Sequence, residues 1–238
     1  MIKVSHLSKS FNGQRILQDI NLEISSGEMV VVLGESGTGK SVLLKHLMGL
    51  LKPDSGQVFI DGEDITQLSE ERLLGIRQKI GYLFQEGALY DFMTVFENIA
   101  FPLKEHTRFD RITIQTKVKA VLKTVDLEGV GHKYPAELSG GMKKRVGLAR
   151  AIILDSKILF CDEPTSGLDP IRSRDISDLI RSVAKQKGST TVITSHDMAN
   201  SFRIADRLVL IKEGKIVLDG TKEDFEKSKN GFVKEFIS

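Results

Sequence analysis

The octapeptide Gly34-Glu35-Ser36-Gly37-Thr38-Gly39-Lys40-Ser41 limits what this chain can be more than any other stretch. It fits the pattern G-x-x-x-x-G-K-[ST], directly after the apolar run Met29–Leu33 and directly before a helical run over 42–50. Its three glycines let the backbone curl so that successive N–H groups point inward, a donor nest for an anion. The helix that follows, opening at Val42, aims the positive end of its dipole at the same spot. Lys40 can then reach the β- and γ-phosphates of a nucleotide, and the Ser41 hydroxyl can ligate Mg²⁺. At ordinary glycine usage such a match arises by chance in roughly one chain of this size in a hundred. The strand before it and the helix after it make chance rarer still.

Around this element short β-branched runs alternate with helical patterns, the mark of an α/β domain with a largely parallel sheet. Buried strands are expected at Met29–Leu33, 157–161, 190–194 and 207–211. Glu213-Gly214 is a turn signal before 215–218 and predicts a C-terminal hairpin. Residues 2–7 and 20–24, with Asn12-Gly13 between them, predict antiparallel strands. Helices are predicted where Ile114, Val118, Val121, Leu122 and Val125 share a face, and where Ile176, Leu179, Ile180 and Val183 do. Pro170 suits the first turn of the second, where its missing N–H costs nothing. From Gly87 to Ala136 strand signals vanish, so a helical subdomain over about 87–150 is expected inside a single domain of residues 1–238. The charged stretch 222–238 reads as a solvated helix with a frayed tail.

Length and composition exclude whole classes. With 238 residues, 40% of them apolar, the chain can bury one core, or one core and a small subdomain. Thirty-four basic residues against 32 acidic leave a net charge of +2, which argues against a strongly basic nucleic-acid binder and an acidic disordered tail. The single cysteine, Cys161, cannot form an internal disulfide, and within its apolar run it reads as a buried small hydrophobe. No purely apolar run approaches the ~18 residues needed to cross a bilayer. No hydrophobic stretch follows the opening MIKVSHLSKS, so no secretory signal is expected. These features lead to the expectation of a cytosolic protein whose membrane role, if any, comes through partners.

A second element would hold the metal. Residues 158–163, Ile-Leu-Phe-Cys-Asp-Glu, form an apolar strand ending in two carboxylates. At the carboxyl end of a strand, where open α/β sheets bind ligands, Asp162 can hold Mg²⁺ through its hydration shell. Glu163 can act as general base on a water in line with the γ-phosphate. Such a pair alone is as often a solvated loop; the phosphate-binding turn decides for function.

Leu138-Ser139-Gly140-Gly141-Met142, ahead of Asp162, resembles the LSGGQ signature of ATP-binding cassette (ABC) ATPases, which other P-loop proteins lack. Further pieces match in order over nearly the whole chain. The resemblance implies that Phe11 stacks on adenine, that Gln85 is the Q-loop glutamine, that Ser166-Gly167-Leu168-Asp169 is the D-loop and that His196 is the switch histidine. It implies a P-loop NTPase fold: a RecA-like parallel-sheet core, an N-terminal antiparallel β-subdomain and an inserted helical subdomain. ATP and Mg²⁺ are the implied ligands. Lys40, Gln85, Glu163 and His196 are the implied catalytic set, with Ser41, Gln85 and Asp162 toward the metal. The implied site is composite. Ser139 Oγ and the Gly141 N–H of one copy, at a helix start, face the γ-phosphate held by the other copy. ATP then binds two copies head to tail, and hydrolysis releases them.

Residues 83–89, Leu-Phe-Gln-Glu-Gly-Ala-Leu, and 94–103, Thr-Val-Phe-Glu-Asn-Ile-Ala-Phe-Pro-Leu, resemble more narrowly the ATPases of Mla-type lipid transporters. Gly-Gly-Met for Gly-Gly-Gln and Lys40-Ser41-Val42 fit the same subfamily. That resemblance implies integral permease subunits, an MCE-type lipid-binding protein, and a peripheral place on the cytoplasmic side of the inner membrane. In ABC proteins the segment after the Q-loop receives the coupling helix of the membrane subunit. Leu89, Tyr90, Phe92, Met93 and Phe96 suit such a groove, although Phe96 and Ile99 fit the core equally well.

Departures and plainer readings bound the inference. The thioether of Met142 cannot donate the hydrogen bonds of a glutamine amide, while Ser139 and the backbone donors survive. Phe11 replaces the commoner tyrosine, and stacking needs only the ring. The longer C-terminal extension of some Mla-type ATPases is not found by Ser238. His6, His46, His106 and His132 lack metal-ligand spacing and read as surface or cap residues. Lys143-Lys144-Arg145 reads as facing solvent or phosphate, too small for a nucleic-acid site, so no nucleic-acid partner is expected. A lipid-transport ATPase leads. A regulatory ABC ATPase of the cell-division type, or the ATPase of another ABC importer or exporter, is the alternative. A chromosome-maintenance ATPase would need a long insertion between Lys40 and Ser139, and a translation ATPase would need a second cassette.

Overall fold

The computed structural model describes residues 1–237. In chain order the elements are β1 (Ile2–Phe11), β2 (Gln14–Ile24), β3 (Met29–Leu33), α1 (Lys40–Leu47), β4 (Ser55–Ile60), β5 (Glu63–Asp64), α2 (Glu70–Arg77) and β6 (Ile80–Leu83). There follow α3 (Val95–His106), α4 (Arg111–Thr124), α5 (Gly140–Ile152), β7 (Ile158–Asp162), α6 (Pro170–Lys187) and β8 (Thr190–Ser195). The chain continues through α7 (Met198–Ile204), β9 (Arg207–Lys212), β10 (Lys215–Gly220), α8 (Lys222–Glu226) and α9 (Gly231–Ile237). They form two compact units: Met1–Arg77 with the chain from Thr190 onward, and Gln78–Ser189.

In the first unit β2, β1, β4 and β5 make an antiparallel sheet in that order. Asn12 (φ 50°) and Gly13 (φ 81°) supply the two left-handed residues of a tight hairpin turn, which pairs Phe11 with Gln14. The two strands are longer than the expected 2–7 and 20–24. Register shifts between Val4 and Ser10 break the alternation there and hide the strand from a period-two reading. In the same unit β3 lies parallel to both β8 and β9, with β10 antiparallel on β9. Every residue of β3 and β8 is buried, which is why both read as unbroken runs rather than alternations. Helix α1 lays Leu43, Leu44 and Leu47 into this core. It starts at Lys40, earlier than Val42, because left-handed Gly39 (φ 98°) is its N-cap. It ends short of residue 50 because Gly49 (φ 63°) breaks it.

The second unit joins β6 and β7, a parallel pair, to helices α3–α6. Helix α5 lies so close on β6 that a Cβ at Gly81 would sit 2.2 Å from the Ala151 carbonyl oxygen. Helix α3 opens with a capping box: Thr94 accepts from the Glu97 N–H, and the Glu97 carboxylate accepts from the Thr94 N–H at 2.8 Å. The predicted face of α4 is buried, as are Ile176, Ile180 and Val183 of α6, with Leu179 half-buried, and Pro170 is the first residue of α6.

Three strands escaped the sequence pattern, as did helices α2 and α7. β4, β5 and β6 are short, mix polar residues or glycine into the run, and draw their order from neighbours. The C-terminal stretch is a correction. It is two docked helices, not one solvated helix, with Phe225 and Val233 fully buried and the Phe225 ring 6.1 Å from that of Phe202. Ser238, the end of that predicted stretch, lies outside the described residues. Among the described residues no helix is long and apolar enough to cross a membrane.

Candidate active site

In the first unit the loop between β3 and α1 is shaped by three left-handed glycines, Gly34, Gly37 and Gly39. A Cβ at Gly34 would stand 2.5 Å from the Ile211 carbonyl oxygen, and one at Gly39 2.9 Å from that of Ile16. Neither position can hold a side chain without moving backbone. Glu35, Ser36 and Gly37 form the exposed crest, and Thr38 Oγ1 donates to the Glu35 carbonyl at 2.9 Å. Lys40, 5% exposed, donates from Nζ to the Gly34 carbonyl at 2.7 Å and to that of Glu35 at 2.9 Å. Its ammonium is thus held within the curl of the loop. Ser41 and Val42 follow in the first turn, half-buried.

Parallel pairing sets Leu33 against Ser195, so the phosphate loop and His196 leave neighbouring strand ends. His196 is exposed. Its loop is fixed by the Asp197 N–H donating to Ser195 Oγ at 2.9 Å and by Asp197 capping α7. Phe11, at the end of β1, is exposed with Lys9 Nζ 5.3 Å from its ring centroid.

In the second unit Leu83 is paired with Cys161, so Gln85 and the Asp162-Glu163 pair also leave neighbouring strand ends. Asp162 and Glu163 are both buried, and the Tyr82 hydroxyl donates to Asp162 Oδ2 at 3.2 Å. Glu163 adopts φ 45°, a left-handed conformation unusual for a side-chain-bearing residue, and the Ser166 N–H donates to its carbonyl at 3.1 Å. Ser139 caps α5 by accepting from the Met142 N–H at 3.3 Å; Ser139 and Gly140 are exposed and Gly141 half-buried. Asp169 caps α6, accepting from the N–H groups of Arg172 at 3.0 Å and Ile171 at 3.1 Å. The Arg172 N–H first, with its guanidinium charge, holds this carboxyl below the ordinary aspartate value. Burial pushes the Cys161 thiol up, as befits a structural hydrophobe.

These donor sets fit a nucleotide and a divalent ion. In the first unit the loop offers inward N–H groups and a lysine for phosphates, with the Ser41 hydroxyl beside them; in the second, the Asp162 carboxylate and Gln85 amide are oxygen groups of the hard kind that Mg²⁺ takes. Among the described residues no group of three or more His, Cys, Asp or Glu could hold an ion unaided.

Other residues stand differently from the sequence reading. Lys144 does not face solvent. It is 6% exposed and donates to the Gln85 carbonyl and, at 3.3 Å, to Ser166 Oγ. Burial lowers its pKa, while the charges of Glu86 and Glu163 act the other way. Arg145 is paired with Asp126 Oδ2 and the Val125 carbonyl, both at 2.9 Å, so the basic run is no patch. His46 is buried in α1, not a surface residue, whereas His6, His106 and His132 are exposed. Ile99 is core and Phe96 half-buried, while Phe92 (75% exposed) and Tyr90 are exposed with ring centroids 5.8 Å apart, and Phe84 is exposed beside Tyr82. Buried Asn98 organises the turn that carries Phe92. Its Oδ1 accepts from the Tyr90 N–H at 2.8 Å, and its Nδ2 donates to the carbonyls of Tyr90, Met93 and Thr94, each at 3.1 Å. Tyr82, Asn98 and Lys144 were not foreseen as site residues. For Asn98 a signal existed, an amide on the apolar face of a helix.

A strand–glycine loop–helix, a carboxylate pair ending a buried strand, and a serine-capped Ser-Gly-Gly helix start together define an ATP-binding cassette. The model of the ABC transporter family matches residues 17–166, and the chain belongs to that family. It is an ABC-type ATPase domain, the ATP-binding part of an ABC transporter. The probable ribonucleotide transport ATP-binding protein mkl of Mycobacterium leprae is 44% identical over 237 residues, covering 100% of this chain and 68% of that protein. The chain spans 66% of the corresponding Mycobacterium tuberculosis protein. The intermembrane phospholipid transport system ATP-binding protein MlaF of Haemophilus influenzae is 37% identical over 237 residues, 100% of this chain and 90% of that protein. Among solved structures, a dimeric ATP-binding cassette in a post-hydrolysis state with ADP and Pi superposes with a TM-score of 0.86. The two are 31% identical over 93% of this chain and 98% of that one.

Proposed function

We propose that this chain is the ATPase subunit of a lipid-transporting ABC complex, working as a head-to-tail homodimer with Mg²⁺-ATP. It would sit on the cytoplasmic side of the inner membrane, beneath permease subunits and alongside an MCE-type lipid-binding protein. The observation that carries this reading is the stretch 83–103, whose sequence resembles Mla-type ATPases and whose Tyr90 and Phe92 are exposed on a turn braced by Asn98. The likeness to MlaF supports the same reading.

Each residue has a physical task in that function. Lys40 and the loop N–H groups bind the β- and γ-phosphates, and Phe11 stacks on the base. Ser41, Asp162 and Gln85 would hold Mg²⁺, which supplies charge neutralisation at the phosphate oxygens. Glu163 takes a proton from the attacking water, and His196 donates toward the γ-phosphate. Ser139, Gly140 and Gly141 present a helix N-terminus to the nucleotide of the other copy, and Asp169 lies in the D-loop beside that junction.

Affinity purification from native membranes with lipid analysis tests the reading. A multispan permease, an MCE-domain protein and enriched phospholipid are expected. The mkl relative, whose name gives ribonucleotide transport, favours a second reading as a solute-transport ATPase. A solute permease recovered without an MCE protein or lipid would establish that reading and end the first.

A further inference from the structure

Helix α5 is clamped to the loop after β6 at three points one turn apart. Lys144 donates to the Gln85 carbonyl. Gly147 lies so near that a Cβ there would meet Leu83 Cδ1 at 2.8 Å and Gly87 Cα at 3.2 Å. Arg150 donates to the carbonyls of Gly87 and Ala88, each at 2.8 Å. Only Lys144 reaches a third segment: its ammonium also donates to Ser166 Oγ at 3.3 Å, and the Ser166 N–H closes the turn onto the Glu163 carbonyl at 3.1 Å.

A buried ammonium is expensive unless its donors are used, and a hydrophobic side chain of the same length would pack at less cost. The compensation here is geometric. Three N–H donors on one nitrogen can serve acceptors from separate segments at once. Glu163 needs such bracing, because a left-handed conformation at a side-chain-bearing residue persists only where the surroundings over-determine it.

We propose that Lys144 is a positioning residue that ties the segment of Gln85, the turn of Glu163 and Ser166, and the helix headed by Ser139 into one arrangement. The proposal rests on the roles given above to Gln85, Glu163 and Ser139. Lys144 touches no reacting atom. It acts on turnover by holding those that do, and a misplacement of about 1 Å can cost on the order of a hundredfold.

The test is Lys144→Met, which keeps the length and removes the donors, beside Lys144→Arg, which keeps the donors. Nucleotide affinity, kcat and KM are measured with magnesium and ATP, and amide hydrogen exchange is followed without nucleotide. Lys144→Met is expected to lower kcat about tenfold or more, with nucleotide affinity within about twofold. Exchange should rise at 163–168 and at 85–86 but not at 87–88, which Arg150 still holds. Lys144→Arg should restore most of the turnover and the exchange pattern. Turnover within about twofold of wild type, or exchange unchanged at 163–168, overturns the proposal. Should Lys144→Met not fold, Ser166→Ala removes one arm alone: faster exchange at 163–168 supports the tie, and unchanged exchange overturns it. Because exchange is read without nucleotide, a wild-type protein that hydrolyses no ATP would sink the functional reading while leaving the tie measured.

Discussion

The hydroxyl of Tyr82 donates to Oδ2 of Asp162 at 3.2 Å, from the middle of β6 to the end of β7. Tyr82 is paired in register with Phe160, so its side chain reaches two residues along the neighbouring strand to a carboxylate that, in the proposed function, would face a metal. Burial, then the Asp162 charge, raises the Tyr82 pKa, so the phenol stays a donor throughout the working range. Tyr82→Phe should cost about 1–2 kcal/mol in denaturant unfolding. It should lower turnover severalfold at saturating Mg²⁺ with nucleotide affinity unchanged; full turnover would show that Asp162 needs no such orientation.

Lys40→Ala and Glu163→Gln separate binding from chemistry. The first removes the charge proposed to balance the phosphates and should abolish nucleotide binding or turnover, as followed by a fluorescent nucleotide. The second leaves the phosphate loop intact. It should bind ATP and dimerise, yet hydrolyse about 10²–10⁴-fold more slowly, the usual contribution of a positioned base. Wild-type rates in Glu163→Gln would remove it from that role.

Ser139→Arg places a long cation where, in the proposed head-to-tail dimer, the helix start would meet a second copy. Dimerisation with hydrolysis blocked, measured by light scattering, should be lost while one copy still binds nucleotide. Loss of nucleotide binding by the single copy would instead contradict a site shared between copies.

His46 predicts an acid-side loss of stability. Its Nδ1 lies 2.7 Å from the Val42 carbonyl and is the donor, whereas Nε2 is buried. Burial first, and then the Lys9 charge, hold its pKa below the ordinary 6.5, with Asp54 and the Val42 carbonyl acting the other way. The unfolded chain therefore takes up a proton near pH 6.5 that the folded protein resists. Stability is full above that pH and falls as pH drops toward the folded value. Urea midpoints from about pH 5.5 to 8 should fall less steeply on the acid side in His46→Leu than in wild type. Parallel profiles would place the acid sensitivity elsewhere.

The phosphate loop, the two carboxylates and the Ser-Gly-Gly helix start were legible because each needs particular residues at fixed offsets, whatever surrounds them. Buried strands β3 and β8 were legible for the same local reason, an unbroken apolar run. What stayed hidden depends on partners distant in the chain. Lys144 looks solvated in a Lys-Lys-Arg run, and only the close packing of α5 on β6, permitted by Gly81 and Gly147, turns it inward. Phe225 sits in charged surroundings in sequence and His46 is itself polar, yet the fold closes over both. β6 carries a glycine for a neighbour's backbone, so its pattern reports α5 rather than itself.

The four hydrogen bonds of Asn98 bear on how this domain would meet a membrane subunit. The turn displaying Phe92 is locked by one amide before any contact is made, so its aromatic ridge is preorganised. Docking there need not be opposed by the entropy of ordering that loop, and affinity can be set by shape alone.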